Sequence, residues 1–376
     1  MALSRRGFLT HTTVSAASAP LLLGFGMDFC DATPSSVINW SMGFPEGAVL
    51  LNRNENPIGP SPLAIEAANK GIPRSFRYAD PDYIRALLAG HHDIDKDYLL
   101  VGTGSGEILK LAPLVFAREG NVVSTLESYR QTPRFAEKLG AEVKWVNLLK
   151  ETNYAYDING LLSAVDADTK LLFTVTPNNP TGTSLSFADM QKLADGLPKH
   201  VLLVIDEAYV HFQAEGKTGL DLVKEGHRNV LATRTFSKAY ALAGLRCGYG
   251  IGHPDIMKKI AQFGCGPTST NMAGFGAAIA SLEDKAHLER SRTFVSQARV
   301  YYEKNFRELG ISYVSGPSTF ILAELGKRTT AIRDELRNRK IFVRDGVEWS
   351  LPDHLRISYG HEWENQAFFR ELKKLI

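Results

Sequence analysis

The segment Thr235-Phe236-Ser237-Lys238-Ala239-Tyr240-Ala241-Leu242-Ala243-Gly244-Leu245-Arg246 places a primary amine just past an apolar run at 230–233. A hydroxyl stands immediately before the lysine and a guanidinium eight residues after it. Such an amine is suited to imine formation with a carbonyl, and Ser237 and Arg246 offer two ligands for one phosphate. Burial and neighbouring cations lower a lysine's pKa and make it nucleophilic. On this segment alone Lys238 could also be a surface lysine beside a helix-capping serine, so its meaning depends on what the fold brings near it.

Asp206 ends the apolar run at 201–205, where an unpaired carboxylate is costly. A protonated pyridine nitrogen is a partner that would justify it. Tyr209, three residues on, could donate to a phenolic oxygen on the same ring; taken alone, Asp206 could instead cap a helix. Thr176-Pro177-Asn178-Asn179-Pro180-Thr181-Gly182 follows a run at 171–175, and prolines on both sides hold Asn179, whose amide could bond that phenolic oxygen. Gly102-Thr103-Gly104-Ser105-Gly106-Glu107 leads into a helical pattern at 108–116, putting the backbone N–H groups of Gly104, Ser105 and Gly106 where an anion binds well. The loop does not match the dinucleotide pattern in either register, because Glu107 and Leu109 stand where the third glycine should be. Tyr129, after the run at 122–126, could stack on a cofactor ring or pack in the core.

Elements of alternating type must position these groups. Apolar runs at 122–123, 171–175, 201–205 and 230–233 are separated by amphipathic stretches such as 187–193, which predicts an α/β domain with a mostly parallel sheet. A long charged helical pattern over 277–309 precedes new strand signals at 313–325 and 341–359. The expected organisation is a leader over 1–32, an N-terminal arm and part of a small domain over 33–75, a large domain over 76–276 and a small α+β domain over 277–376.

With 376 residues, 44% of them hydrophobic, the chain can bury a full core. Lys and Arg total 43 against 41 Asp and Glu without a basic run, so a nucleic-acid footprint is not expected. The three cysteines, Cys30, Cys247 and Cys265, lack metal-ligand spacing, and no metal is expected. Cys247 and Cys265 could bridge in an oxidising compartment, although buried free cysteine is the more ordinary state. Ser4-Arg5-Arg6-Gly7-Phe8-Leu9, followed by a weakly apolar stretch at 14–27, matches a twin-arginine export signal, with a cleavage site expected after Cys30-Asp31-Ala32. The stretch is too short and too rich in Ser and Ala for a membrane span, so a periplasmic or secreted bacterial protein is expected.

Taken together, Asn54-Glu55-Asn56-Pro57, Asn178-Asn179-Pro180-Thr181-Gly182, Asp206-Glu207-Ala208-Tyr209, Ser237-Lys238 and Leu355-Arg356-Ile357-Ser358 occur in the order and approximate spacing of a known family. The chain resembles the fold-type I pyridoxal 5′-phosphate (PLP) enzymes and, within them, the histidinol-phosphate aminotransferase-like class I/II aminotransferases, over about residues 51–375. The resemblance implies a PLP-dependent transaminase acting on an amino acid and a 2-oxo acid, with Lys238 holding the cofactor as a Schiff base. It also implies a homodimer in which Tyr78 of one chain reaches the phosphate in the other's site. Arg356 matches the arginine that grips the substrate's carboxylate or its equivalent, for which a guanidinium fork is suited. Asn56 and Ile58 fall at the expected substrate end. Family members commonly carry an aromatic residue where Ile58 stands and an asparagine near Thr319, and these departures, with the export signal, count against histidinol phosphate as the substrate. A decarboxylase or other lyase of the same fold is the first alternative and a non-catalytic PLP-binding protein the second; retention of Lys238, Asp206 and Asn179 together speaks against the latter.

Overall fold

The four apolar runs become the middle of one seven-stranded sheet. The computed structural model describes residues 43–376, of which Gly47–Ile376 form one compact unit. The expected leader over 1–32, with its twin-arginine pattern, expected cleavage site and Cys30, lies outside the described residues, as does the start of the expected arm, 33–42.

Thirteen strands are present among the described residues: β1 Val49–Leu50, β2 Leu99–Thr103, β3 Asn121–Thr125, β4 Glu142–Val146, β5 Thr169–Val175, β6 Leu202–Asp206, β7 Val230–Thr235, β8 Cys247–Gly252, β9 Tyr313–Val314, β10 Phe320–Glu324, β11 Ile341–Phe342, β12 Arg344–Gly346 and β13 Leu351–Ser358. The large sheet has the order β2-β8-β7-β6-β5-β3-β4. Its pairings are parallel from β7 through β6, β5 and β3 to β4, while β8 runs antiparallel to both β7 and β2. β3 and β6 are buried at every position, as expected of strands covered on both faces.

This topology positions the site. Parallel strands present their carboxyl ends along one edge, where open α/β sheets bind ligands. The chain leaving β7 at Thr235 loops through residues 236–246 along that edge and returns as β8. The loop carries Ser237, Lys238 and Arg246.

A second, four-stranded antiparallel sheet has the order β12-β13-β10-β9, and β1 pairs in parallel with β11. The helical pattern expected over 277–309 is two helices, Met272–Glu283 and Lys285–Glu308. Asp284 joins them and caps the second, its carboxylate accepting the His287 N–H at 2.9 Å. Cys247 is buried, Cys265 is exposed, and both are free thiols. Among the described residues no helix is long and apolar enough to cross a membrane.

Candidate active site

A cleft of about 410 Å³ opens at the carboxyl edge of the large sheet, and Lys238 lines it with Asp206, Tyr209, Asn179, Arg246 and Arg356. The Lys238 Nζ donates to the carbonyls of Asn54 at 2.9 Å and Arg53 at 3.1 Å and lies 5.7 Å from the centre of the Tyr209 ring. Burial, reinforced by Arg356, lowers its pKa to about 8. Two carbonyls hold the amine without neutralising it, which leaves it available to an electrophile.

Asp206, at the end of β6, is 2% exposed. It accepts from the Thr233 hydroxyl at 3.2 Å and is bonded by the Ala208 N–H, and no salt bridge reaches it among the described residues. Burial pushes its carboxyl up to about 7. A carboxylate kept in this state lacks a cation, and a protonated ring nitrogen supplies one.

Three further groups are placed to hold an anion. The helix Ser105–Phe116 begins at Gly104 without a side-chain cap, so its first N–H groups face outward unpaired by a cap. Gly104 has φ +70°, and a Cβ built on it would stand 2.6 Å from Arg246 Nη2. Only glycine lets that guanidinium approach the helix end. Gly248 in β8 has the same role from below, since a Cβ there would meet the Ser105 N at 2.2 Å. The Ser237 Oγ accepts from Thr235 Oγ1 at 2.9 Å, so the Ser237 proton remains to be donated elsewhere.

Asn179 and Arg356 form a second fixed pair. Arg356 donates from Nη1 to Asn179 Oδ1 at 2.7 Å and from Nη2 to the Asn52 carbonyl at 2.7 Å. With its oxygen engaged, the Asn179 amide turns its N–H groups outward. Arg356 is 3% exposed, its guanidinium is 4.8 Å from the Trp349 ring centre, and its buried Nε has no partner. Burial lowers its pKa to about 10. A buried guanidinium N–H without a partner beside a cleft is suited to an acceptor from a ligand.

The remaining sequence-derived residues fall in different places. Ser105, Gly106 and Tyr129 line the cleft, and the Tyr129 hydroxyl donates to Gln131 Oε1 at 2.5 Å. Asn56 and Ile58 do not line it. Asn56 Nδ2 instead braces the lysine loop, donating to the Lys238 carbonyl at 3.1 Å and Ser291 Oγ at 2.6 Å. Thr319 is 1% exposed and donates to the Asn54 carbonyl at 3.1 Å, the same oxygen that receives Lys238 Nζ. Tyr78 is 76% exposed. The cleft also contains Arg53, Asn54, Gln131, Thr235 and Arg344, which the sequence did not single out as site residues. For Asn54 a signal existed, because it opens the Asn-Glu-Asn-Pro run; Arg344 becomes visible only through register, standing directly opposite Arg356 across β12 and β13.

The family model for aminotransferase class I and II matches residues 46–370. The chain belongs to that family. The aminotransferase is 33% identical over 341 residues to histidinol-phosphate aminotransferase 2 of Pseudomonas fluorescens, covering 88% of this chain and 90% of that protein. It is 35% identical over 331 residues to histidinol-phosphate aminotransferase of Symbiobacterium thermophilum, covering 87% and 90%. Among solved structures, histidinol-phosphate aminotransferase from Sinorhizobium meliloti in complex with pyridoxal-5′-phosphate superposes with a TM-score of 0.81 at 25% identity, covering 88% and 92%. The fold expected from sequence, a mostly parallel α/β sheet of PLP fold type I, is thus the fold of the aminotransferase.

The donor set also fits a group with an aldehyde, a phosphate and a basic ring nitrogen. The amine of Lys238, the anion-binding groups Ser105, Gly106, Ser237 and Arg246, and the uncompensated Asp206 are three separate matches within one cleft, while Gly104, which does not line it, lets Arg246 approach the helix end.

Proposed function

We propose that this class I and II aminotransferase uses PLP to move an amino group between an amine bearing an acidic group and a 2-oxo acid, with Lys238 as its catalytic residue. The observation that carries the reading is the Lys238 amine, lowered to about 8 and facing the same cleft as the cation-less Asp206. PLP bound there supplies an aldehyde for amine exchange and a ring that draws electron density from the substrate's Cα. Asp206 would keep the ring nitrogen protonated, and Tyr209 and Asn179 would donate to the phenolic oxygen. The N-terminus of the helix Ser105–Phe116, Ser237 and Arg246 would hold the phosphate, and Tyr129 would cover the ring. Lys238 Nζ would hold the aldehyde and, as a free amine, would serve as the base that takes the substrate's Cα proton.

Arg356 would receive the acidic group through its unpartnered Nε, its Nη1 and Nη2 being engaged by Asn179 and the Asn52 carbonyl, and Arg344 stands opposite it on β12. Arg344 is already paired with Glu348 at 2.7 Å, so Arg356, with its unpartnered Nε, is the cation that remains for an acidic group. The curated relatives above are named for histidinol phosphate, which carries an acidic phosphate, as amino acids carry carboxylates.

The enzyme is further proposed to act as a homodimer, supported by the exposed apolar residues Ile72, Phe76, Tyr78 and Tyr83 in one stretch of the chain. Tyr78 of one copy would serve the phosphate of the other. Export through the twin-arginine route to the periplasm or beyond is proposed from Ser4–Leu9 alone. Fractionation of cells producing the Arg5→Lys, Arg6→Lys variant tests it; unchanged location would refute it.

The function is tested by supplying PLP, reducing one sample with borohydride and mapping the modified peptide, and presenting a separate, unreduced sample with amino acids and histidinol phosphate and several 2-oxo acids. Label on Lys238 and stoichiometric amine transfer are expected. Release of CO₂ with no transfer would move the enzyme to the lyases, and absence of label would overturn the role of Lys238.

A further inference from the structure

We propose that Asn54 and Ser358 are positioning residues that fix the direction of the Tyr209 hydroxyl proton, so that Tyr209 enters the cleft as a hydrogen-bond donor. The inference rests on the PLP reading of the cleft. It begins at Ser358, the last residue of β13, whose Oγ accepts the backbone N–H of Asn54 at 2.8 Å. The serine proton then goes to Asn54 Oδ1 at 3.1 Å. With that oxygen engaged, the amide turns Nδ2 toward Tyr209, 2.9 Å from its Oη. An amide N–H can only donate, so Tyr209 accepts on this side and its own proton points elsewhere.

The surroundings hold this order. Asn54 and Ser358 are each 2% exposed and Tyr209 3%, so bulk water does not compete for their groups. The edge of the Tyr209 ring packs against Phe320, with centres 5.3 Å apart at 84°, which limits its swing. Tyr209 lines the cleft, and its proton is directed there. Asn54 itself has φ 55°, a left-handed conformation that Asn tolerates better than most residues. Thr319 secures its carbonyl, the same oxygen that receives Lys238 Nζ. Asn54 therefore touches both the lysine and the tyrosine while belonging to neither of the segments, after β7 and β6, that carry them.

A donor aimed at an anionic oxygen stabilises the charge and lowers the oxygen's basicity. The test follows the absorbance of the full-length, PLP-loaded enzyme against pH and reads the midpoint of its spectral change. Asn54→Asp keeps the side-chain shape and the backbone preference but offers Tyr209 only an acceptor, which draws the proton back from the cleft. The midpoint is expected to rise by about one pH unit. Ser358→Ala, which adds no charge, frees the amide to turn over and raises the midpoint by less; Ser358→Thr restores it.

Both substitutions are repeated with Tyr209→Phe. In that background Ser358→Ala leaves the midpoint where it is, and Asn54→Asp moves it less than when the hydroxyl is present. Equal shifts with and without the hydroxyl overturn the proposal, as does an unmoved midpoint in the singly substituted proteins. Either substitution alone suffices if the other protein does not fold. A wild-type enzyme that takes up no PLP would sink the cofactor reading instead, an outcome separate from a cofactor band whose midpoint stays put.

Discussion

Asp206 and Glu207 are neighbours in the chain and opposite in circumstance. Glu207 is 1% exposed and bonded twice over, to Arg234 Nε at 2.8 Å and to the Gly219 N–H at 2.6 Å. Arg234 reaches on to Thr218 Oγ1 at 2.9 Å, and although burial opposes its charge, Glu207 holds its pKa above the ordinary value. On the cleft side three buried charges are under strain: Asp206 is pushed up, Lys238 and Arg356 are pushed down, and burial leads each shift. One set is closed upon itself. The other is incomplete, and its members share a cleft. Buried charges whose partners are all present belong to the scaffold, whereas buried charges lacking them mark where a ligand completes the structure.

The contrast breaks first at Lys238. Lys238→Ala should reduce amino transfer by at least about 10³-fold while leaving the unloaded protein folded, as read by steady-state assay and circular dichroism. The unloaded wild type should react with an amine-directed reagent at Lys238 with a midpoint near pH 8, well below that of exposed lysines, because its pKa is lowered to about 8. A midpoint in the ordinary lysine range would place Lys238 with the scaffold charges.

Next in size is the closed pair. Glu207→Ala leaves Arg234 buried alone and should cost about 3–5 kcal/mol in denaturant unfolding. A loss under about 1 kcal/mol, the range of surface pairs, would erase the distinction.

Asp206→Asn should act in the opposite sense on the unloaded protein. Because the folded pKa lies above the unfolded one, the folded chain holds its proton more tightly. The cost of Asp206 therefore grows as pH rises from about 4 toward the folded value of about 7, and is full above it. The asparagine variant should be more stable than wild type by about 2 kcal/mol at pH 8, with the gain vanishing near pH 4, while binding PLP more weakly. Stabilisation that persists at pH 4 would point to packing rather than charge.

The smallest effect is expected at Arg356→Lys, which keeps the charge and loses the fork. KM for an acid-bearing donor should rise about tenfold with a smaller change in kcat. An equal rise for an amine without an acidic group would remove Arg356 from acid recognition.

Much of this arrangement was legible in one dimension because parallel strands deliver their last residues to one edge. Asn179, Asp206 and Lys238 each follow a continuous apolar run, and the alternation of elements predicts the parallel strands that carry them, though not their order in the sheet. The rest depends on contacts that no local pattern encodes. Asn56 looks like Asn54 in sequence, yet it braces the Lys238 backbone while Asn54 meets the amine and Tyr209. Arg344 reaches the cleft through antiparallel register, and Gln131 through a bond to the Gly106 carbonyl at 3.1 Å. The break at Asp284 hid inside a charged helical pattern because a cap and a helix-interior aspartate read alike until the backbone turns.

Strand β13 has a further consequence. Arg356 and Ser358 lie two residues apart on it and so project to the same face. One extended segment of backbone thus carries both the grip for an acidic group and the hydroxyl that steers Tyr209. A rigid rod cannot shift at one point without shifting at the other, so a tug on Arg356 is also a tug on Ser358. Recognition of the acid and tuning of the tyrosine are mechanically one lever, and changes that retune the first will detune the second.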